Sequence, residues 1–271
     1  MKRTMVSVLV ASVMGLASLA ASAGNVVVNG STTVLPAMQK ITENFMKANP
    51  SIQVSLSGGG SGHGIKALME NTTDVAMASR DMKSAEIENM KKSGNEAVRH
   101  VVAIDAIVPV INPRNGVKDL TLQQIRDIYA GRITNWKDVG GKNARITVVS
   151  RDSSSGTFET WESLVMKGER VQQRALLQAS NGAVLQTIAK NPNAIGYVGL
   201  GYLTKDIKAL SIGGVKATMK TAETFEWPLS RELYLFTNNH VNADTKALIN
   251  YALSKDGQAS VKEVGFVPVA R

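Results

Sequence analysis

Apolar and polar positions along this chain fall into short blocks whose period switches between two and about three and a half. Alternating or β-branched blocks predict strands over 26–29, 53–56, 75–77 and 101–111. Amphipathic blocks between them predict helices over 37–47, 64–69 and 84–92. Strand and helix in strict alternation imply an α/β fold with mainly parallel sheets flanked by helices. The apolar run 101–111 is too β-branched for a helix and longer than one sheet needs. A second long run, 231–237, comes about 125 residues later. Two such strands bracketing a domain-sized insert predict a pair of crossing strands joining two lobes. The boundaries expected are lobe 1 from 24–106 plus 232–271, and lobe 2 from 107–231.

Three strand-to-helix junctions carry small hydroxylated residues where a turn is expected. They are Gly30-Ser31-Thr32-Thr33-Val34, then Gly58-Gly59-Gly60-Ser61-Gly62-His63-Gly64, then Arg151-Asp152-Ser153-Ser154-Ser155-Gly156-Thr157. Helix N-termini expose unpaired N–H groups and the positive end of the helix dipole, so an anion is stabilised there. Ser and Thr are also ordinary N-caps, and one such turn would mean no more than that. Three in one chain, one of them with a guanidinium suited to oxyanions, point to anion binding. In open α/β sheets the ligand sits beyond the carboxyl ends of the strands, where all three turns lie. On the two-lobe reading they face one another across a cleft that closes on its ligand.

Composition narrows the partners. The net charge is +9, with the lysines and arginines scattered and only 5% aromatics, so there is no basic-aromatic surface for nucleic acid. A mild positive potential suits the steering of a small anion. Lys2 and Arg3, an apolar stretch to Ala20 and Ala21-Ser22-Ala23 read as a cleavable signal peptide over 1–23. The chain has no cysteine, hence no disulfide framework and no lipid-modified cysteine. A periplasmic location is expected.

Other chemistry finds less support. Gly59-Gly60-Ser61-Gly62-His63 lacks the final glycine of a nucleophile elbow. Ile65 stands where a Walker A loop needs lysine, and His63, His100 and His240 have no metal-ligand spacing. No cofactor and no metal are expected. Trp136, Trp161 and Trp227 are read as core residues. Asp105, inside an apolar strand, is read as a hydrogen-bonded carboxylate at the crossing, with a ligand role as the alternative.

The ordered set of motifs resembles the phosphate-binding proteins of bacterial ABC transporters, in the periplasmic binding protein superfamily. Besides the three turns it includes Ser79-Arg80-Asp81, Ile133-Thr134-Asn135-Trp136, Ala194-Ile195-Gly196-Tyr197-Val198 and the strand at 228–238. The resemblance implies a two-lobed type II fold and a non-enzymatic, monomeric receptor that captures inorganic phosphate. Delivery would be to permease subunits in the inner membrane. The ligand contacts it implies are Ser31, Thr32, Thr33, Val34, Ser61, Ser79, Arg80, Asp81, Arg151, Ser155, Gly156 and Thr157. One departure matters: some members have aspartate at the position of Arg80, where it accepts the proton of hydrogen phosphate and rejects sulfate. Here that role is vacant or falls to Asp81 or Asp152, and Arg80 is available as a second cation. The alternatives are a receptor for another oxyanion, such as sulfate or molybdate, and a secreted serine phosphatase or esterase.

Overall fold

The structure, a computed structural model, describes residues 24–269; the expected signal segment lies outside the described residues. From β1 (Gly24–Gly30) the chain runs through α1 (Leu35–Ala48), β2 (Ile52–Gly58), α2 (Ser61–Met69), β3 (Val75–Ala78) and α3 (Ser84–Lys92). The long strand β4 (Ala97–Ile111) leads to β5 (Asp119–Leu120), α4 (Leu122–Ala130) and β6 (Thr147–Arg151). Next come α5 (Gly156–Trp161), β7 (Leu176–Gln178), α6 (Asn181–Lys190) and β8 (Ala194–Gly199). After β9 (Lys208–Ala209), β10 (Ser211–Ile212) and α7 (Met219–Glu223) comes the second long strand, β11 (Ser230–Asn238). Helices α8 (Ala243–Leu253) and α9 (Lys255–Glu263) and strand β12 (Val267–Pro268) finish the described chain.

The strands are ordered β2-β1-β3-β11-β4-β8-β6-β7. The pairs β1–β2, β1–β3, β6–β7 and β6–β8 are parallel, as βαβ connections require. The pairs of β11 with β3 and β4, and of β4 with β8, are antiparallel. Strand β4 changes partner midway: 97–106 pair with β11, and 107–111 pair with β8. It begins four residues earlier than its apolar run, because Ala97 to His100 are held by the backbone of β11 rather than by their own burial.

The cores follow the same division. One is built from residues between Ala106 and Leu229, with Val267 added. Two smaller cores cover the two faces of the β1–β3–β11 region. All three tryptophans are buried; Trp161 stacks on Tyr197 at 4.1 Å between ring centroids, with Tyr129 tilted against both. Such ring pairs add about 0.5–1.5 kcal/mol beyond the area they bury. Helix α1 has Pro36 in its first turn, where the missing N–H costs nothing, and buries Met38, Ile41 and Phe45 on one face. Its apolar stripe holds the Ser31–Val34 turn against the sheet.

Candidate functional site

Four of the site residues are placed at helix starts that follow strand ends. Thr33 precedes α1, Ser61 opens α2, Thr157 is the second residue of α5, and Asn181 opens α6. Ser155 caps α5 by accepting from Phe158 N at 3.2 Å, and Ser180 caps α6 by accepting from Ala183 N at 3.1 Å. Two glycines allow the close approach. Gly60 has φ +101°, and a Cβ there would lie 2.5 Å from Ser154 Oγ; a Cβ on Gly156 would lie 2.4 Å from Ser61 Oγ. The backbones also meet directly, Gly62 N donating to Ser154 O at 3.0 Å.

Four hydroxyls form a buried chain at this meeting point. Thr33 Oγ1 lies 2.9 Å from Thr157 Oγ1, which lies 3.4 Å from Ser79 Oγ, which lies 3.3 Å from Ser61 Oγ. Three of them already accept from groups that can only donate. Asn181 Nδ2 donates to Thr33 Oγ1 at 3.0 Å, Arg231 Nη2 to Thr157 Oγ1 at 3.0 Å, and Ser79 N to Ser61 Oγ at 3.0 Å. Four hydroxyl protons therefore have three mutual contacts to fill, and at least one proton is left to donate. The cluster is a net donor. A buried donor without an acceptor costs about 1–3 kcal/mol, so the site favours a ligand rich in acceptors.

Arg151 supplies the charge. It is 2% exposed, and its neighbours are carbonyls rather than carboxylates: Nε donates to Gln178 O at 2.9 Å and Nη2 to Ala179 O at 3.0 Å. Burial, with Arg231 as a like charge, pushes its pKa down, while Asp152 acts in the opposite sense. Its backbone N–H donates to Tyr197 OH at 3.2 Å, and burial raises the pKa of that phenol. A buried cation whose side-chain hydrogen bonds go to carbonyl dipoles is electrostatically incomplete until an anion arrives.

Most of the residues expected from sequence are gathered here. Ser31, Thr32, Thr33, Ser61, Ser79, Arg151, Ser155 and Thr157 are all buried. Ser31 Oγ accepts from Thr33 N at 3.1 Å, and Thr32 Oγ1 accepts from Asn181 Nδ2 at 3.1 Å. The Val34 side chain belongs to the core, which leaves only its backbone for a ligand. Two residues fall elsewhere. Arg80 Nε donates to Glu159 at 2.8 Å, while Nη1 and Nη2 clasp Glu86 at 2.8 Å each. Its charge is spent on two carboxylates, one of them carried by α5, so it ties the two sides of the cleft instead of serving as a second cation for the anion. Asp81 lies at the surface with its carboxylate on Arg99 at 2.7 Å. Asp152 receives Ser154 N at 2.9 Å and the Ser154 hydroxyl, which turns its carboxylate inward on its own loop.

Asp105, which the sequence marks as a hydrogen-bonded carboxylate at the crossing, completes the wall with two polar residues that the sequence did not mark, Arg231 and Asn181. Arg231 and Asp105 face each other in the β4–β11 register, with Arg231 Nη2 2.8 Å and Nε 3.0 Å from Asp105 Oδ2. Asp105 Oδ1 accepts from Leu200 N at 2.8 Å, and burial raises its pKa against the pull of Arg231. Asn181 Oδ1 accepts from Gly199 N at 3.1 Å, which fixes the amide so that Nδ2 faces the threonines.

Turns from the ends of parallel strands, meeting over a buried guanidinium, define a solute-binding protein. A family model described as a PBP superfamily domain matches residues 17–256. The chain belongs to the phosphate-binding protein PstS family. It is 33% identical over 250 residues to Phosphate-binding protein PstS of Bacillus subtilis (strain 168), covering 92% of this chain and 82% of that protein. The fold superposes with a TM-score of 0.86 on a phosphate ABC transporter substrate-binding protein from Clostridium perfringens with bound phosphate. That protein is 34% identical, with 91% of this chain and 100% of the other covered. An ABC-type phosphate transport receptor from Vibrio cholerae gives a TM-score of 0.74 at 30% identity, over 90% of this chain and 100% of that one. The fold is thus the two-lobed type II binding-protein fold expected from the sequence.

Proposed function

We propose that this protein captures inorganic phosphate between its lobes and delivers it to the permease of an ABC transporter, without chemical conversion. The observation that carries this reading is the buried Arg151, without a carboxylate hydrogen-bond partner among the described residues, beside a hydroxyl chain that has a proton to spare. The names of the relatives select phosphate among oxyanions. The contacts proposed are Arg151, the hydroxyls of Ser31, Thr32, Thr33, Ser61, Ser79, Ser155 and Thr157, and the backbone at Val34 and Gly156. Hydrolysis is disfavoured by the same proton count. Thr33, Thr157 and Ser61 accept from an amide, a guanidinium and a backbone N–H, none of which can take a proton from a nucleophile. The lobes would divide at 106/107 and 231/232, close to where β4 changes partner. Export through the 1–23 segment would place the monomer in the periplasm.

Calorimetric titration of the 24–271 chain with phosphate, sulfate, arsenate and molybdate tests the reading. Tight 1:1 binding of phosphate, with sulfate at least about 100-fold weaker, is expected. Equal affinity for sulfate would refute phosphate as the ligand, and release of product from a phosphate monoester would refute the receptor role. Small-angle scattering should show a smaller radius of gyration when phosphate saturates a protein with an open resting state.

A further inference from the structure

Arg231 is 7% exposed and commits four of its five N–H groups. Two go to Asp105 Oδ2, one to Ser79 O at 3.1 Å, and one to Thr157 Oγ1 at 3.0 Å. A guanidinium has no lone pair, so Thr157 Oγ1 is forced to accept from it, and the Thr157 proton must turn away. On that other side are Thr33 Oγ1 and Ser79 Oγ, both in the hydroxyl chain. We propose that Arg231, locked by Asp105, is a positioning residue that turns the Thr157 hydroxyl into a fixed donor to the bound anion. The inference rests on the phosphate reading and adds to it what sets the direction of the site's protons.

The surroundings explain why the lock is needed. Asp105 is fully buried, one guanidinium nitrogen away from Thr157. Without Arg231 its carboxylate would be an unpaired buried anion, drawing hydroxyl protons to itself and opposing an incoming oxyanion. The other charged or ionisable groups facing Arg231 are Arg151 on β6, Tyr197 on β8 and Tyr234 on its own strand. None of these replaces a carboxylate as the partner of the fork. Ser79 O accepts from Arg231 at 3.1 Å and from the Thr160 hydroxyl at 3.5 Å, so both of its lone pairs already have donors.

The test is a mutant cycle on phosphate affinity, measured by calorimetry, with melting in phosphate-free buffer to verify the fold. Because removing one member of a buried pair can unfold the protein, both are neutralised together as Asp105→Asn/Arg231→Gln, and this is combined with Thr157→Val. Each change should weaken phosphate binding by at least about tenfold, and the triple variant should be within about threefold of the weaker of the two. That non-additivity marks action through Thr157, which a purely structural role would not produce. If the neutral pair does not fold, Arg231→Lys, which keeps charge and a donor but lacks the fork, replaces it in the same cycle. Losses that multiply, or a pair variant within threefold of wild type, overturn the inference while the phosphate reading stands. A wild-type protein that binds no phosphate overturns both.

Discussion

Replacing Arg151 by methionine keeps the bulk of the side chain and deletes its charge. Two consequences follow in opposite directions. In the free protein the change removes a buried cation that is hydrogen-bonded to carbonyls, while Gln178 O and Ala179 O lose their donors, at about 1–3 kcal/mol each where burial is complete. These effects offset each other, so the melting temperature without ligand should move little. In the complex the loss is one-sided. Truncating a buried, hydrogen-bonded charge at an interface costs about 2–5 kcal/mol, which corresponds to roughly 30-fold to several thousand-fold in Kd. At a phosphate concentration of about 100 times the wild-type Kd, binding stabilises the native protein by about 2.7 kcal/mol. For a chain of this size that is a melting shift of about 5–11 °C, at about 2–4 °C per kcal/mol. With Kd raised 30-fold the same concentration is only about three times Kd, and the stabilisation falls below about 1 kcal/mol. Calorimetry and phosphate-dependent melting together check both halves. A Kd within threefold of wild type, or an undiminished phosphate shift, would show that Arg151 is not the anion's counter-charge.

Other substitutions separate the site from its surroundings. Glu159→Gln removes one anchor of Arg80 across the cleft and should weaken phosphate by about three- to tenfold through easier opening; an affinity lower by a factor of 100 would place Arg80 or Glu159 on the ligand itself. Asp81→Asn should leave the phosphate-to-sulfate ratio unchanged, because that carboxylate faces Arg99 at the surface; a ratio that narrows tenfold in paired titrations would return it to the site. Gly199→Ala would put a Cβ 2.8 Å from Thr33 Cγ2 and 3.1 Å from Asp105 Oδ2, so the threonine must retreat. Phosphate affinity measured by calorimetry should fall by at least about tenfold, and full wild-type affinity would mean that the hydroxyl chain tolerates being spread.

The parts of this site that could be read from the sequence are those whose chemistry is local. A strand, a hydroxylated turn and a helix start are contiguous, so Ser31 to Thr33, Ser61 and Ser155 to Thr157 announce themselves. Arg151 is noticed because it sits in such a turn. Arg231 and Asp105 are 126 positions apart and meet only through the register of two strands, and in sequence each is a charged residue in an apolar run. Asn181 belongs to a fourth helix start whose preceding strand, Leu176–Gln178, is three residues long and mostly exposed, too faint a signal for a strand. Proximity in sequence also misleads. Ser79, Arg80 and Asp81 are consecutive, yet the chain leaving β3 sends the first to the hydroxyl chain, the second to Glu86 and Glu159, and the third to Arg99. Strand β3 ends at Ala78 and the chain bends at Ser79 and Arg80, so consecutive side chains there fan out in different directions, and a motif adjacent to a site need not contribute all of its members.

The burial of the hydroxyl chain bears on kinetics. Ions in solution screen charges that they can approach, with a Debye length of about 8 Å at physiological ionic strength, and they screen buried groups much less. The chain's excess of basic residues is spread over its exterior, whereas Thr33, Ser61, Ser79 and Thr157 are at most 1% exposed. Added salt should therefore slow the encounter of anion and protein while the dwell time of the captured ion stays nearly constant. A receptor built this way loses capture rate in a saline medium but not its grip.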